Sequence, residues 1–155
     1  YFNPVGSHDN LVIYDSHERG SSNLMPAIME TALGKRKFLE IYGNNYDTED
    51  GTAERDYIHI SDLIEGHIHA FKKIESLSDY DTFNLGTGKS TSVLELINIF
   101  EKISGQKIRK KFTKPRAGDS SRCYAKINKA KEVLGWVAKY SLEKMCNSSW
   151  EAAKG

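Results

Sequence analysis

Two arginines stand where a side chain can do more than cover a surface. Arg55 follows the turn-forming run 47–52, and Arg116 lies between Pro115 and Gly118. A guanidinium is permanently charged, and its planar fork can hold two phosphate oxygens at once. Each arginine sits at the edge of an expected element, from which it can reach a cleft. Together they are the candidates for gripping a diphosphate; either one alone is more often a surface or ion-pair residue.

Other motifs fail on spacing. Gly86-Thr87-Gly88-Lys89-Ser90 is similar to a phosphate loop, but Phe83 occupies the place of its first glycine. Thr91 stands where a dinucleotide fingerprint needs its third glycine, so the run reads as a turn between a buried strand and a capped helix. Tyr140 and Lys144 have the spacing that puts a phenol and an ammonium on one helix face, yet that spacing is cheap. They read as a helix start and a surface lysine. His59, His67 and His69 with the two cysteines make no recognisable metal spacing, so no metal site is expected. No local pattern supports a Cys/His nucleophile pair or a paired-carboxylate hydrolase.

The elements that must position the arginines follow from periodicity and punctuation. Residues 6–22 read as a surface loop around the apolar patch 11–14. Asn23 can cap a helix in which Leu24, Ile28, Met29, Ala32 and Leu33 recur at helical spacing up to Gly34. Residues 38–42 alternate like a strand. Residues 55–60 predict another, with Ser61 as N-cap of a helix carrying Asp62 in its first turn and Leu63, Ile64, Ile68 and Phe71 on its apolar positions. Residues 82–85 predict a short buried strand. Ser92-Val93-Leu94-Glu95 is a capping box, opening a helix through Val93, Leu96, Ile97 and Phe100 to Gly105. Two closing helices fit 128–134 and 141–153. Strands alternating with helices predict an α/β arrangement, without internal repeats.

Bulk properties narrow the partners. A chain of 155 residues is about one domain. It begins at Tyr1 rather than methionine, and we expect a piece of something longer. A hydrophobic content of 39% and no apolar run near the roughly 20 residues of a membrane helix predict no membrane span. No secretory signal is visible, and the expected compartment is the cytoplasm. The net charge of +1 gives no reason to expect nucleic acid. The one dense basic run, 107–114, alternates charge with Ile108 and Phe112 and predicts a strand with one solvated face. Cys123 and Cys146 are too few for a disulfide framework, and the Asn147-Ser148-Ser149 acceptor is idle in a reducing compartment.

A collinear set of motifs goes further. It runs from Tyr1-Phe2-Asn3-Pro4 and Asn23-Leu24-Met25-Pro26, through residues 42–52 (YGNNYDTEDGT) and 55–59 (RDYIH), to Asn84-Leu85-Gly86-Thr87-Gly88 and Ser92-Val93-Leu94-Glu95-Leu96. It ends with Pro115-Arg116-Ala117-Gly118-Asp119, Cys123-Tyr124-Ala125 and Leu134-Gly135-Trp136. This set resembles the carboxyl-terminal half of the UDP-glucose 4-epimerases, members of the extended short-chain dehydrogenase/reductase family. The resemblance implies the substrate-binding part of a Rossmann-type α/β fold whose NAD-binding half is absent. It departs from the family over residues 6–22, where Ser22 replaces the first of a usual asparagine pair.

By position, the resemblance implies that Asn3 touches the UDP-sugar and that Tyr1 and Phe2 lie on the nicotinamide side. Asn23 and Leu24 would meet the diphosphate and uridine region. Glu40, Ile41 and Tyr42 would read uracil, mainly through backbone groups, with Tyr42 placed to stack. Arg55 and Arg116 become diphosphate ligands, and Asp119 an acceptor for the ribose hydroxyls. Without the resemblance, Asp119 is a turn residue and Tyr42 a half-buried strand residue. Cys123 falls at the position thought to limit the sugar's 2-substituent, and its smallness would admit the UDP-N-acetyl sugars as well as UDP-glucose and UDP-galactose; otherwise it is a buried structural thiol.

The family reaction has NAD take a hydride from sugar C4 and return it to the other face, while a tyrosine handles the hydroxyl proton. That chemistry would belong upstream, so no catalytic residue is expected in this chain. Its expected share is the anchor on UDP. The whole of 1–155 is expected to form the UDP-sugar-binding portion, with 55–88 packing on the cofactor half, and the full protein to be a homodimer. The isolated chain is expected neither to epimerise nor to be very stable. A related dehydratase, decarboxylase or glucuronate epimerase, or a non-catalytic UDP-sugar-binding module, are the alternatives.

Overall fold

Leu96, Ile97 and Phe100 recur at one-, three- and four-residue intervals, which places them on one side of a helix. In the computed structural model, which describes residues 3–8, 23–77 and 80–154, all three are 0% exposed. In chain order the elements are β1 (Asn3–Val5), α1 (Leu24–Ala32), β2 (Leu39–Tyr42), β3 (Glu54–Arg55), β4 (Tyr57–His59), α2 (Ile60–Lys72), β5 (Thr91–Ser92), α3 (Val93–Ser104), β6 (Lys110–Thr113), β7 (Arg122–Cys123) and α4 (Leu142–Lys154). A 3₁₀ turn, Ile74–Ser76, follows α2, and a π-helical turn, Ala130–Leu134, precedes α4.

The serine half of the expected capping box at the start of α3 forms: the Ser92 hydroxyl accepts from the Glu95 N–H at 3.0 Å. The helix stops at Gly105, whose φ of +69° is a conformation that a side chain resists. In α1, Pro26 falls in the first turn, where its missing N–H has no intrahelical partner to lose. Asn23 occupies the N-cap position in extended backbone, without a capping bond from its side chain.

Strands pair in three small ladders. β1 runs parallel to β4, β2 runs parallel to β6, and β3 lies between β5, antiparallel, and β7, parallel. The larger core packs α1, α3 and α4 over β2 through Ile28, Leu39, Ile41, Phe100, Met145 and Trp150. The Phe100 and Trp150 rings meet edge to face at 5.6 Å, and truncating a ring so buried costs about 3–5 kcal/mol. A second core gathers Ile58, Leu63, Leu85, Leu134 and Trp136.

Several expectations need correction. The strand foreseen over 55–60 is broken at Asp56 into β3 and β4, which pair with different partners, β3 with β5 and β7 and β4 with β1. The N-cap of α2 is His59, whose Nδ1 accepts from the Ser61 N–H, and not Ser61. Asp62 is fully buried and takes up the backbone N–H groups of Lys139 and Tyr140, so it fastens a connection more than it balances a dipole. Residues 82–85 join no ladder among the described residues, although Leu85 is buried. Leu63 faces the core, but Ile64, Ile68 and Phe71 are exposed. Residues 128–134 give a π-helical turn at their end in place of a regular helix. In the basic run, Ile108 is buried while Phe112 is exposed. Tyr1, Phe2 and the patch 11–14 lie outside the described residues.

Candidate functional site

The pairing of β2 with β6 brings distant sequence together. Tyr42 is in register with Thr113, and Gly43 N–H donates to the Thr113 carbonyl at 3.0 Å. The chain leaving β6 therefore carries Pro115, Arg116 and Asp119 across the end of β2. The pairing of β3 with β7 does the same for Arg55, which is in register with Cys123.

A pocket of about 380 Å³ opens where these strand ends meet. Asn3, Asn23, Leu24, Glu40, Ile41, Tyr42, Arg55, Arg116 and Asp119 all line it. Every described candidate except Cys123 is thus in one place. Cys123 is exposed on β7 and does not line the pocket, which corrects its reading as a buried thiol.

The side chains are arranged in pairs. Arg55 and Asp119 form an ion pair, with the side chains 18% and 28% exposed. The Arg55 guanidinium also donates to the Glu54 carbonyl at 2.7 Å. Arg116 lies over the Tyr42 ring, 4.1 Å from its centroid, and the Tyr42 hydroxyl donates to Glu40 Oε2 at 3.2 Å. Asn3 donates from Nδ2 to the Asp56 carbonyl at 3.0 Å. Near this group, burial pushes the Tyr46 phenol up, Asp119 adds to the effect, and Arg55 and Arg116 oppose it.

Sequence reading missed Arg36, which lines the pocket and is held by Glu30 at 2.8 Å. No local signal marks it, since a Lys/Arg after a helix-stopping glycine is ordinary surface. Tyr57 was quoted only as part of a motif, yet it also lines the pocket, its phenol pushed up by burial.

Two arginines, an aromatic face and a carboxylate within one cleft suit an anionic ligand bearing a planar ring and hydroxyls. A second hollow, bounded by Asp50, Glu54 and Glu95, suits no such ligand. Asp50 already accepts from Thr52 and Ser92, and Glu54 from Ser90 and Arg122. Among the described residues no group of three His, Cys, Asp or Glu is placed to hold a metal, and no helix is long and apolar enough to cross a membrane.

The alternation of strands and helices makes this an α/β protein. A family model described as GDP-mannose 4,6 dehydratase matches residues 12–149, and the chain belongs to that family. Within it, the chain is 46% identical over 150 residues to the UDP-glucose 4-epimerase of Bacillus subtilis (strain 168), covering 97% of this chain and 44% of that protein. Solved structures agree. The UDP-glucose-4-epimerase of Stenotrophomonas maltophila, with bound NAD and formylated UDP-arabinopyranose, superposes with a TM-score of 0.94 at 38% identity, over 99% of this chain and 46% of that one. The UDP-glucose 4-epimerase of Bifidobacterium longum, in complex with NAD+ and UDP, gives a TM-score of 0.90 at 38% identity with the same coverage. The chain thus spans a little under half the length of the relatives it matches.

Proposed function

We propose that this chain is the UDP-sugar-binding, carboxyl-terminal half of an NAD-dependent UDP-glucose 4-epimerase. The convergence of Arg55, Arg116, Asp119 and Tyr42 on one pocket carries the reading. Arg55 and Arg116 neutralise the diphosphate, Asp119 accepts the ribose hydroxyls, and the strand Glu40-Ile41-Tyr42 offers backbone groups to uracil. Asn3, Asn23 and Leu24 close the wall around the nucleotide. Cys123, one strand over from Arg55, would stand on the side where the sugar projects. Because Arg55 and Asp119 hold each other, a nucleotide that takes both must replace that contact with its own.

NAD is the cofactor implied by this reading, and it would supply the hydride chemistry. The described residues do not fit it: the N–H groups of Thr87 and Gly88 in the Gly86-Thr87-Gly88 turn are taken by the Asp56 carboxylate. NAD therefore falls to the other half of the protein, with Tyr1 and Phe2, outside the described residues, on its near side. Ile68, Phe71 and Ile74, exposed by 45–73%, give 55–88 exposed apolar side chains of the kind that dock on such a half.

Calorimetric titration of the chain with UDP tests the reading: saturable binding is expected, and failure to bind UDP would overturn it. Supplied with UDP-galactose and NAD, the chain alone should form no UDP-glucose. A second reading, another nucleotide-sugar enzyme, draws support from the family model's own description and from a UDP-glucuronic acid 4-epimerase neighbour. Product analysis of a full-length protein with several UDP-sugars separates the two.

A further inference from the structure

Arg55 would grip the diphosphate, and its side chain has few anchors of its own. β3 is two residues long, and the guanidinium's contacts are the Glu54 carbonyl and Asp119, itself on a loop. The next residue is different. Asp56 is 7% exposed, and its carboxylate accepts four hydrogen bonds: from the Thr87 N–H at 2.9 Å and the Thr87 hydroxyl at 2.6 Å on Oδ1, and from the N–H groups of Gly88 at 2.9 Å and Ala125 at 3.2 Å on Oδ2. Its own N–H donates to the Cys123 carbonyl at 3.1 Å, and its carbonyl accepts from Asn3. The fit admits no added bulk. A Cβ at Gly86 would lie 2.5 Å from Asp56 Oδ2 and 2.6 Å from the Ala125 Cβ.

We infer that Asp56 is a positioning residue that sets the Arg55 clamp against the segments carrying Asn3 and Cys123. This rests on the reading of Arg55 as a diphosphate ligand. A buried carboxylate that satisfies four donors at once holds their segments at fixed separation, because each donor left without an acceptor is costly. An amide cannot do the same. In Asp56→Asn the NH2 group faces either the N–H groups of Gly88 and Ala125 or the N–H of Thr87, and no rotamer restores all four bonds. The uracil-reading end rests on β2 and β6, a separate ladder with no hydrogen bond to Asp56, so a change at Asp56 is felt at the diphosphate and not at the base.

The test is a double-variant cycle on the chain, with UDP followed by calorimetry and uridine by NMR titration. Asp56→Asn should weaken UDP about tenfold while leaving uridine within about twofold. Combined with Arg55→Ala, it should weaken UDP no further than Arg55→Ala does alone, because the two act through one contact. If the Asp56→Asn loss persists in full beside Arg55→Ala, or if UDP and uridine weaken together, Asp56 is structural and the inference fails. Should Asp56→Asn not fold, Thr87→Val removes one of the four bonds and should show the same pattern at about threefold. Failure of the unaltered chain to bind UDP would remove the functional reading along with this one. An Arg55→Ala loss without an Asp56→Asn loss would remove only this one.

Discussion

The guanidinium of Arg116 lies over the ring of Tyr42, 4.1 Å from its centroid. The ring that would stack on a base thus also steadies a cation that would grip a diphosphate. One face of the ring is taken by arginine, so a base that stacks on it would have to use the other.

Tyr42→Phe keeps the ring and loses only the hydroxyl bond to Glu40, so UDP affinity should change by about threefold or less. Tyr42→Leu removes the platform for both base and arginine, and the loss should exceed about tenfold. Titration calorimetry on the two variants checks this. Equal losses would show that the hydroxyl, not the ring, is what matters.

The cysteines should differ in reactivity. Cys123 is exposed, whereas burial, aided by Glu143, pushes the Cys146 thiol up to about 12. At pH 8, iodoacetamide should modify Cys123 in the native chain and reach Cys146 only in denaturant. Mass spectrometry of the labelled peptides reads the result directly. Bound UDP-sugar should slow labelling of Cys123 if the sugar lies beside it.

Glu54 lends an acid dependence to stability. The Ser90 hydroxyl, then Arg122, hold its carboxyl below the usual range. Since its folded value is lower than its unfolded one, about 4.3, the carboxylate stabilises above that pH, and the contribution fades as pH falls through the folded value. The melting temperature of Glu54→Gln should therefore lie below that of the unaltered chain at pH 7. The gap should narrow in acid, as the pH falls below the unfolded value and then through the folded one. A gap that stays constant with pH would assign the difference to packing.

Ser92 does two tasks, capping α3 and donating to Asp50. Ser92→Ala should cost about 1–2 kcal/mol in urea denaturation, and Ser92→Thr should recover most of it.

Helices α1 and α3 were legible because apolar spacing, a cap position and a terminal glycine agreed. Arg55 and Arg116 stood out from their setting beside turns, but Glu40, Tyr42 and Asp119 were legible only through family motifs, and Arg36 and Tyr57 were not legible as pocket residues at all. What stayed hidden is what tertiary contact alone decides. Asp56 reads as one more strand residue until its four donors arrive from two other segments. Ile64, Ile68 and Phe71 have core spacing but face outward, because periodicity says which residues share a face and not what lies opposite. Residues 82–85 have strand composition, but a strand also needs a neighbour to exchange hydrogen bonds with.

The parallel register of Tyr42 with Thr113 also sets a schedule. A ribosome making this chain releases the strand carrying Glu40, Ile41 and Tyr42 before β6, and the arginine that covers the Tyr42 ring emerges about 75 residues after it, once α2 and α3 have had time to form. On the proposed reading so long a loop must close before a nucleotide is held, and ligand capture would be a late event in folding. Nascent chains stalled before β6 should ignore UDP. Those long enough to expose Asp119 beyond the exit tunnel should begin to retain it, so nucleotide binding doubles as a clock for completion of the fold.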